Sequence, residues 1–133
     1  MAKERKKKVL IVDDEADFLN LAKKRFDSKG YDVITANNGT SALELLKSES
    51  PDAVLLDVMM PGLDGLSVLK EIRSFDKNIP VFIATAFSNE ERAAVASNFN
   101  ASGFILKGEG DLSEEIDNMT RIIEISAKYR EKK

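Results

Sequence analysis

The chain has 133 residues, a net charge of −3 and a hydrophobic fraction of 43%, which fits one domain with its own core and no broad nucleic-acid-binding field. It contains no cysteine and no histidine, which excludes disulfides, thiolate catalysis, the usual general base and the usual zinc ligands. Any resident metal must then be a hard cation held by oxygen, pointing to magnesium, manganese or calcium.

The first residues are charged and lack an apolar leader, and no apolar run approaches the length of a membrane span, so a cytoplasmic protein without a membrane partner is expected. Lys3 and Arg5 to Lys8 read as a solvated basic arm. Contact with nucleic acid or membrane is the weaker reading, because no aromatic or apolar anchor accompanies the charges. Lys8 to Val12 is the first predicted strand. A helix follows from Ala16 to Lys29, with Phe18, Leu19, Ala22 and Phe26 at helical spacing and Gly30 as its stop. Tyr31 to Thr35 is a second, more polar strand, and Asn38 to Ser48 a second helix entered through Asn38-Gly39 and Thr40. Pro51 opens a third strand ending at Asp57, and Pro61-Gly62 breaks the chain. A helix from Leu63 to about Phe75 turns Leu66, Leu69 and Ile72 inward. Pro80 opens a fourth strand, to Thr85. Ser88 caps a helix to about Asn98. Gly103 to Lys107 is the fifth strand. A long last helix runs from Asp111 to about Arg130, capped by Asp111 or Ser113. Its inward stripe is Leu112, Ile116, Met119 and Ile123. A second stripe, Ile122, Ile125 and Tyr129, reads as packing against the neighbouring helix, with an exposed partner or dimer surface as the alternative.

Strands alternating with helices predict an α/β fold with a parallel sheet covered on both faces. The near-continuous apolar runs of strands one, three, four and five suit a sheet buried on both sides, and polar strand two suits an edge. Right-handed crossovers make the flavodoxin-like, doubly wound order 2-1-3-4-5 the simplest arrangement, with five helices. No repeat or linker interrupts residues 1–133, so one domain with a core over about 8–130 is expected.

Five polar residues stand where four of these strands end. Asp13 and Asp14 follow the first strand, Asp57 ends the third, Thr85 the fourth and Lys107 the fifth. In a parallel sheet these carboxyl ends face one way and line the crevice where ligands bind. Singly, each has a plainer explanation as a cap, a loop former, a β-branched strand residue or a solvated lysine. Together, three converging carboxylates repel by roughly 1–4 kcal/mol per pair at a few ångströms, a cost that makes sense if a cation neutralises them. Asp14 and Asp57 are expected as direct ligands, with Asp13 acting through water and a backbone carbonyl just past Asp57 adding another oxygen. Asp57 is placed as a nucleophile toward phosphorus. The cation, Lys107 and the Thr85 hydroxyl would each neutralise one equatorial oxygen.

The segments VLIVDDE (9–15), PDAVLLDVMMPGLDG (51–65), VFIATA (81–86) and GFILK (103–107) carry a resemblance over nearly the whole chain to the receiver domains of bacterial two-component response regulators. That resemblance implies Asp57 as phosphoacceptor, Asp13 and Asp14 as the acid pair for Mg2+, and the backbone carbonyl of Met59 as a further ligand. It implies Thr85 and Phe104 as a switch pair, in which the threonine hydroxyl turns to the phosphoryl group and Phe104 moves inward. The implied phosphate source is a histidine kinase or a histidine phosphotransfer protein. Two departures stand out. Gly108-Glu109-Gly110 replaces the proline usual after the lysine, so a trans bond is expected there, since cis costs about 2.5–4 kcal/mol without proline. Met59 and Phe87 are apolar at positions that in the family resembled tune access of water to the phosphoryl group, so a long-lived phosphoryl group is expected.

The reading is a non-enzymatic switch that catalyses only its own phosphorylation and dephosphorylation. With no output domain following, it would act by binding a downstream protein, without nucleic acid, and is compatible with a phosphorylation-dependent dimer. A phosphohydrolase would want an acid/base carboxylate where Met59 stands. A flavin carrier would want a glycine- and hydroxyl-rich loop where Asp13-Asp14-Glu15 stands. A phosphorylation-independent docking module is the remaining alternative.

Overall fold

The computed structural model describes residues 6–57, 59–60, 63–85, 101–107 and 111–131. Their elements are β1 (Lys8–Val12), α1 (Ala16–Ser28), β2 (Asp32–Ala36), α2 (Gly39–Glu49), β3 (Ala53–Asp57), β4 (Met59–Met60), β5 (Leu63–Asp64), α3 (Gly65–Phe75), β6 (Val81–Thr85), β7 (Gly103–Leu106) and α4 (Leu112–Glu131). Five strands pair in parallel in the order β2-β1-β3-β6-β7, the doubly wound order expected. The helix expected over Ser88 to Asn98, the loop Gly108-Glu109-Gly110 and Phe87 lie outside the described residues.

Side-chain alternation along the strands builds two cores. Leu10, Val12, Val54, Leu56, Val81 and Ile83 face one way, onto Ala42 and Leu46 of α2 and Val68, Leu69 and Ile72 of α3. Val9, Ile11, Ala53, Leu55, Phe82, Ala84 and Ile105 face the other, onto Ala22 and Phe26 of α1 and Ile116, Met119 and Ile123 of α4. Both faces of β1, β3 and β6 are therefore apolar, whereas edge strand β2 is largely half-exposed or exposed.

Local signals set the helix ends. Asn38 caps α2, its Oδ1 accepting from the Ser41 N–H at 2.8 Å. Gly30 takes φ +86° after α1, where a β-carbon would be strained. There the Gly30 and Tyr31 N–H groups return to the carbonyls of Asp27 and Phe26, and the Tyr31 ring closes edge-on against Phe26 at 5.6 Å, a hydrophobic-sealed C-terminus. Of the two expected caps of the last helix, Asp111 is the one used, accepting from the Ser113 N–H at 2.9 Å.

Three expectations are corrected. The third helix starts at Gly65 rather than Leu63, because Leu63 and Asp64 pair antiparallel with Met60 and Met59; the ladder competes with the first helical turn. The basic arm is not free at its inner end. Lys7 pairs with Glu124 at 3.0 Å and Lys8 with Glu49 at 2.9 Å, while the Lys8 N–H donates to Asp52. The second stripe of the last helix is not packing surface at the side chains described, since Ile122 and Ile125 are 40% and 56% exposed. Beyond the core they share, the end of α1 and the turn after it meet α4 through polar contacts, Arg25 and Lys29 with Asp117 and the Tyr31 hydroxyl donating to Glu124. No helix among the described residues is long and apolar enough to cross a membrane.

Candidate functional site

Strand register brings the acidic residues level. Val12 pairs with Leu56, so Asp13 and Asp57 leave adjacent strands side by side. Asp57 in turn pairs with Ala84, and Thr85 with Leu106, which places Lys107 one residue beyond. The Asp13 N–H donates to the Ala36 carbonyl at 3.0 Å, holding the start of the β1–α1 connection against β2. Oxygens of Asp13, Asp14 and Asp57 lie within 4.8 Å of one another. Asp13 is fully buried and Asp57 nearly so, while Asp14 is exposed.

The Lys107 ammonium sits among these groups. It lies 3.0 Å from Asp13 Oδ2 and 3.4 Å from Asp57 Oδ2, and donates to Asp13 Oδ1 at 3.3 Å. It also donates to Glu15 Oε1 and rests 4.9 Å above the Phe18 ring, a favourable cation–π placement. Burial pushes the Asp13 carboxyl up to about 6. The Glu15 N–H and Lys107 oppose that rise, and the charge of Asp57 adds to it. For Lys107 burial acts downward, but its hydrogen bonds to Glu15 and Asp13 and the charges of Asp13 and Asp57 more than reverse this and hold it charged.

Asp13 Oδ2 is the informative atom. It is buried and, despite its ion-pair contact with Lys107, has no hydrogen bond of proper geometry. A buried, incompletely satisfied carboxylate oxygen in an all-oxygen donor set fits a hard divalent cation. Asp13, Asp14 and Asp57 are the carboxylates that would hold it. Met59, expected to lend a carbonyl, lies two residues past Asp57 in the β4–β5 pairing. Thr85 ends β6, and Phe104 pairs with Ile83 in β7; the side chains of Met59, Thr85 and Phe104 lie outside the described residues. Glu15 and Phe18 escaped the sequence reading as partners of Lys107. Their only signal was proximity to the Asp13-Asp14 pair, and an exposed glutamate or a helix-face phenylalanine has commoner uses.

Residues 9–126 match the response regulator receiver domain. The chain is 34% identical over 129 residues to the alkaline phosphatase synthesis transcriptional regulatory protein PhoP of Bacillus subtilis, covering 96% of this chain and 54% of that protein. It is 44% identical over 80 residues to sporulation initiation phosphotransferase F of the same organism, covering 60% of this chain and 64% of the relative. Among solved structures, NtrX from Brucella abortus superimposes with a TM-score of 0.85 at 32% identity, over 96% of this chain and 29% of that one. The chain thus spans about half the length, or less, of curated regulators that it matches. A doubly wound parallel sheet with an acid cluster at its carboxyl edge is the architecture of a receiver domain, and this chain belongs to the response regulator receiver domain family.

Proposed function

We propose that the chain is a receiver unit over residues 8–130 that accepts a phosphoryl group on Asp57 with Mg2+ and thereby switches binding to another protein. The observation that carries this reading is the grouping of Asp13, Asp14 and Asp57 oxygens within 4.8 Å with Lys107 3.4 Å from Asp57. Such a cluster is costly for structure and suited to phosphoryl transfer, where positioning and charge neutralisation do most of the work.

The donor would be a phosphohistidine of a kinase or phosphotransfer protein. An Asp57 carboxylate oxygen forms the new P–O bond while the P–N bond to imidazole breaks. The electron pair leaves with that nitrogen, which keeps its proton balance by protonation from solvent. The product is an acyl phosphate. Lys107 pairs with one phosphoryl oxygen and the Thr85 hydroxyl with another, and Phe104 follows Thr85 in the switch. Asp13, whose buried Oδ2 has no hydrogen bond, suits a direct metal ligand better than the water-mediated role expected for it. A bound dication supplies positive charge that lets the carboxylates approach the anionic donor.

The test is intact mass after incubation with magnesium and acetyl phosphate, beside Asp57→Asn, followed by transfer from a phosphorylated histidine kinase. One phosphoryl adduct that needs both magnesium and Asp57 supports the reading. A folded protein that takes no phosphoryl group from either donor refutes it and leaves the phosphorylation-independent docking module.

A further inference from the structure

Glu15 occupies the N-cap position of α1 with extended backbone, yet its side chain makes no cap hydrogen bond to the helix. Its own N–H is taken by Asp13 Oδ1 at 2.9 Å. Its carboxylate is turned away from the helix, to Lys107. A helix start normally uses a short polar side chain to satisfy its free N–H groups. Here the longer glutamate forgoes that bond and reaches the ammonium instead. The Phe18 ring beneath Lys107 holds the ammonium from the same helix.

One ammonium therefore faces three carboxylates, Asp13, Asp57 and Glu15. Its separation from Asp57, 3.4 Å, exceeds its 3.0 Å separation from Asp13. In the switch chemistry proposed above, Asp13 and Asp57 change partners when a cation and a phosphoryl group arrive. Glu15 is outside that exchange. It remains as a charge competing with the phosphoryl oxygens for Lys107.

We infer that Glu15 is a positioning residue that draws Lys107 toward α1 in the resting state and so sets how tightly the site holds a phosphoryl group on Asp57. This inference rests on Asp57 being the phosphoacceptor. Because Glu15 is solvent-accessible, the competition is modest, on the order of that of an exposed ion pair, and its removal should tighten phosphoryl binding roughly two- to fivefold.

The test uses the full chain with magnesium and beryllofluoride, a non-covalent phosphoryl mimic, its affinity read by nuclear magnetic resonance titration. Glu15→Gln is compared with wild type and with Asp17→Asn, which removes the same charge from the first turn of α1 at a side chain outside the contacts of Lys107. Tighter binding in Glu15→Gln, by about two- to fivefold, with Asp17→Asn close to wild type, supports the inference. Unchanged or weaker binding in Glu15→Gln overturns it, as does an equal gain in Asp17→Asn, which would make the effect general charge. Acetyl phosphate labelling of wild type separates the two levels. Labelled wild type with no Glu15 effect refutes this inference alone, whereas wild type that neither labels nor binds beryllofluoride removes the phosphoacceptor reading and this inference with it.

Discussion

Asp13→Asn should make the metal-free protein more stable at neutral pH, although it removes a residue of the candidate site. Burial pushes the Asp13 carboxyl from its ordinary 3.8 to about 6. That displacement corresponds to about 3 kcal/mol against ionisation in the folded state. The sign follows from proton linkage. Between pH 4 and 6 the folded chain binds more protons at Asp13 than the unfolded chain, so stability falls as pH rises through that window and stays lower above it. Asparagine removes the charge and keeps an oxygen for the Glu15 N–H, now accepted by Asp13 Oδ1. Its amide nitrogen takes the place of Oδ2, so Lys107 loses its 3.0 Å contact there and keeps Glu15 and Asp57. The attraction of Lys107 for the carboxylate is already contained in that displacement, and placing a donor amide beside the ammonium reduces the net gain to about 1–2 kcal/mol at pH 7.5, or roughly 4–8 °C in Tm for a chain of this size. Thermal unfolding in chelator at pH 7.5 and at pH 4 measures it. The gain should vanish at pH 4, where wild-type Asp13 is protonated when folded. Magnesium should raise the Tm of wild type more than that of the variant. A variant less stable than wild type at pH 7.5, or equally stabilised at both pH values, would refute the electrostatic reasoning.

The same carboxyl makes cation binding pH-dependent. Below about 6, the value to which Asp13 is raised, the cation must displace a proton, so calorimetric magnesium affinity should fall by up to about tenfold per pH unit. Ile116→Ala, in the core against α1 and the sheet, should cost about 2–5 kcal/mol in denaturant unfolding. Ile125→Ala, at an exposed position of the same helix, should change stability by less than about 0.5 kcal/mol. Asn38→Ala, which removes the cap bond to Ser41, should cost about 1 kcal/mol by the same assay. Phosphorylated protein, isolated free of donor, should retain its adduct well beyond seconds by intact mass; loss within seconds would show that apolar Met59 and Phe87 do not slow attack by water.

Much of the architecture was legible because its signals are local and repeated. The runs Val9 to Val12, Val54 to Leu56 and Val81 to Ala84 are apolar on both strand faces, and only a sheet covered on two sides buries both. Asp57, Thr85 and Lys107 could be grouped before any coordinates, since parallel strands present their carboxyl ends together. The Asn38 cap and the Gly30 stop were readable for the same reason, each depending on a few neighbouring residues. Leu63-Asp64 was less legible, because a two-residue ladder and a first helical turn suit the same sequence.

Contacts between distant segments were a different matter. Periodicity shows which residues of the last helix are apolar, but the direction of its second stripe depends on where α1 lies, and Asp117 and Glu124 bind that neighbour with charge. Likewise, residue types place Lys107 beside the acid cluster, while its sharing with Glu15 and Phe18 requires α1 and the end of β7 to meet across 92 positions of chain. Hydrophobic spacing and strand polarity are written along the chain and determine the sheet and the address of its site. Partner choice among exposed charges, and the one buried oxygen of Asp13 left without a hydrogen bond, arise only once the sheet has closed and dehydrated those groups, because electrostatic energy depends on separation and burial that no local pattern encodes.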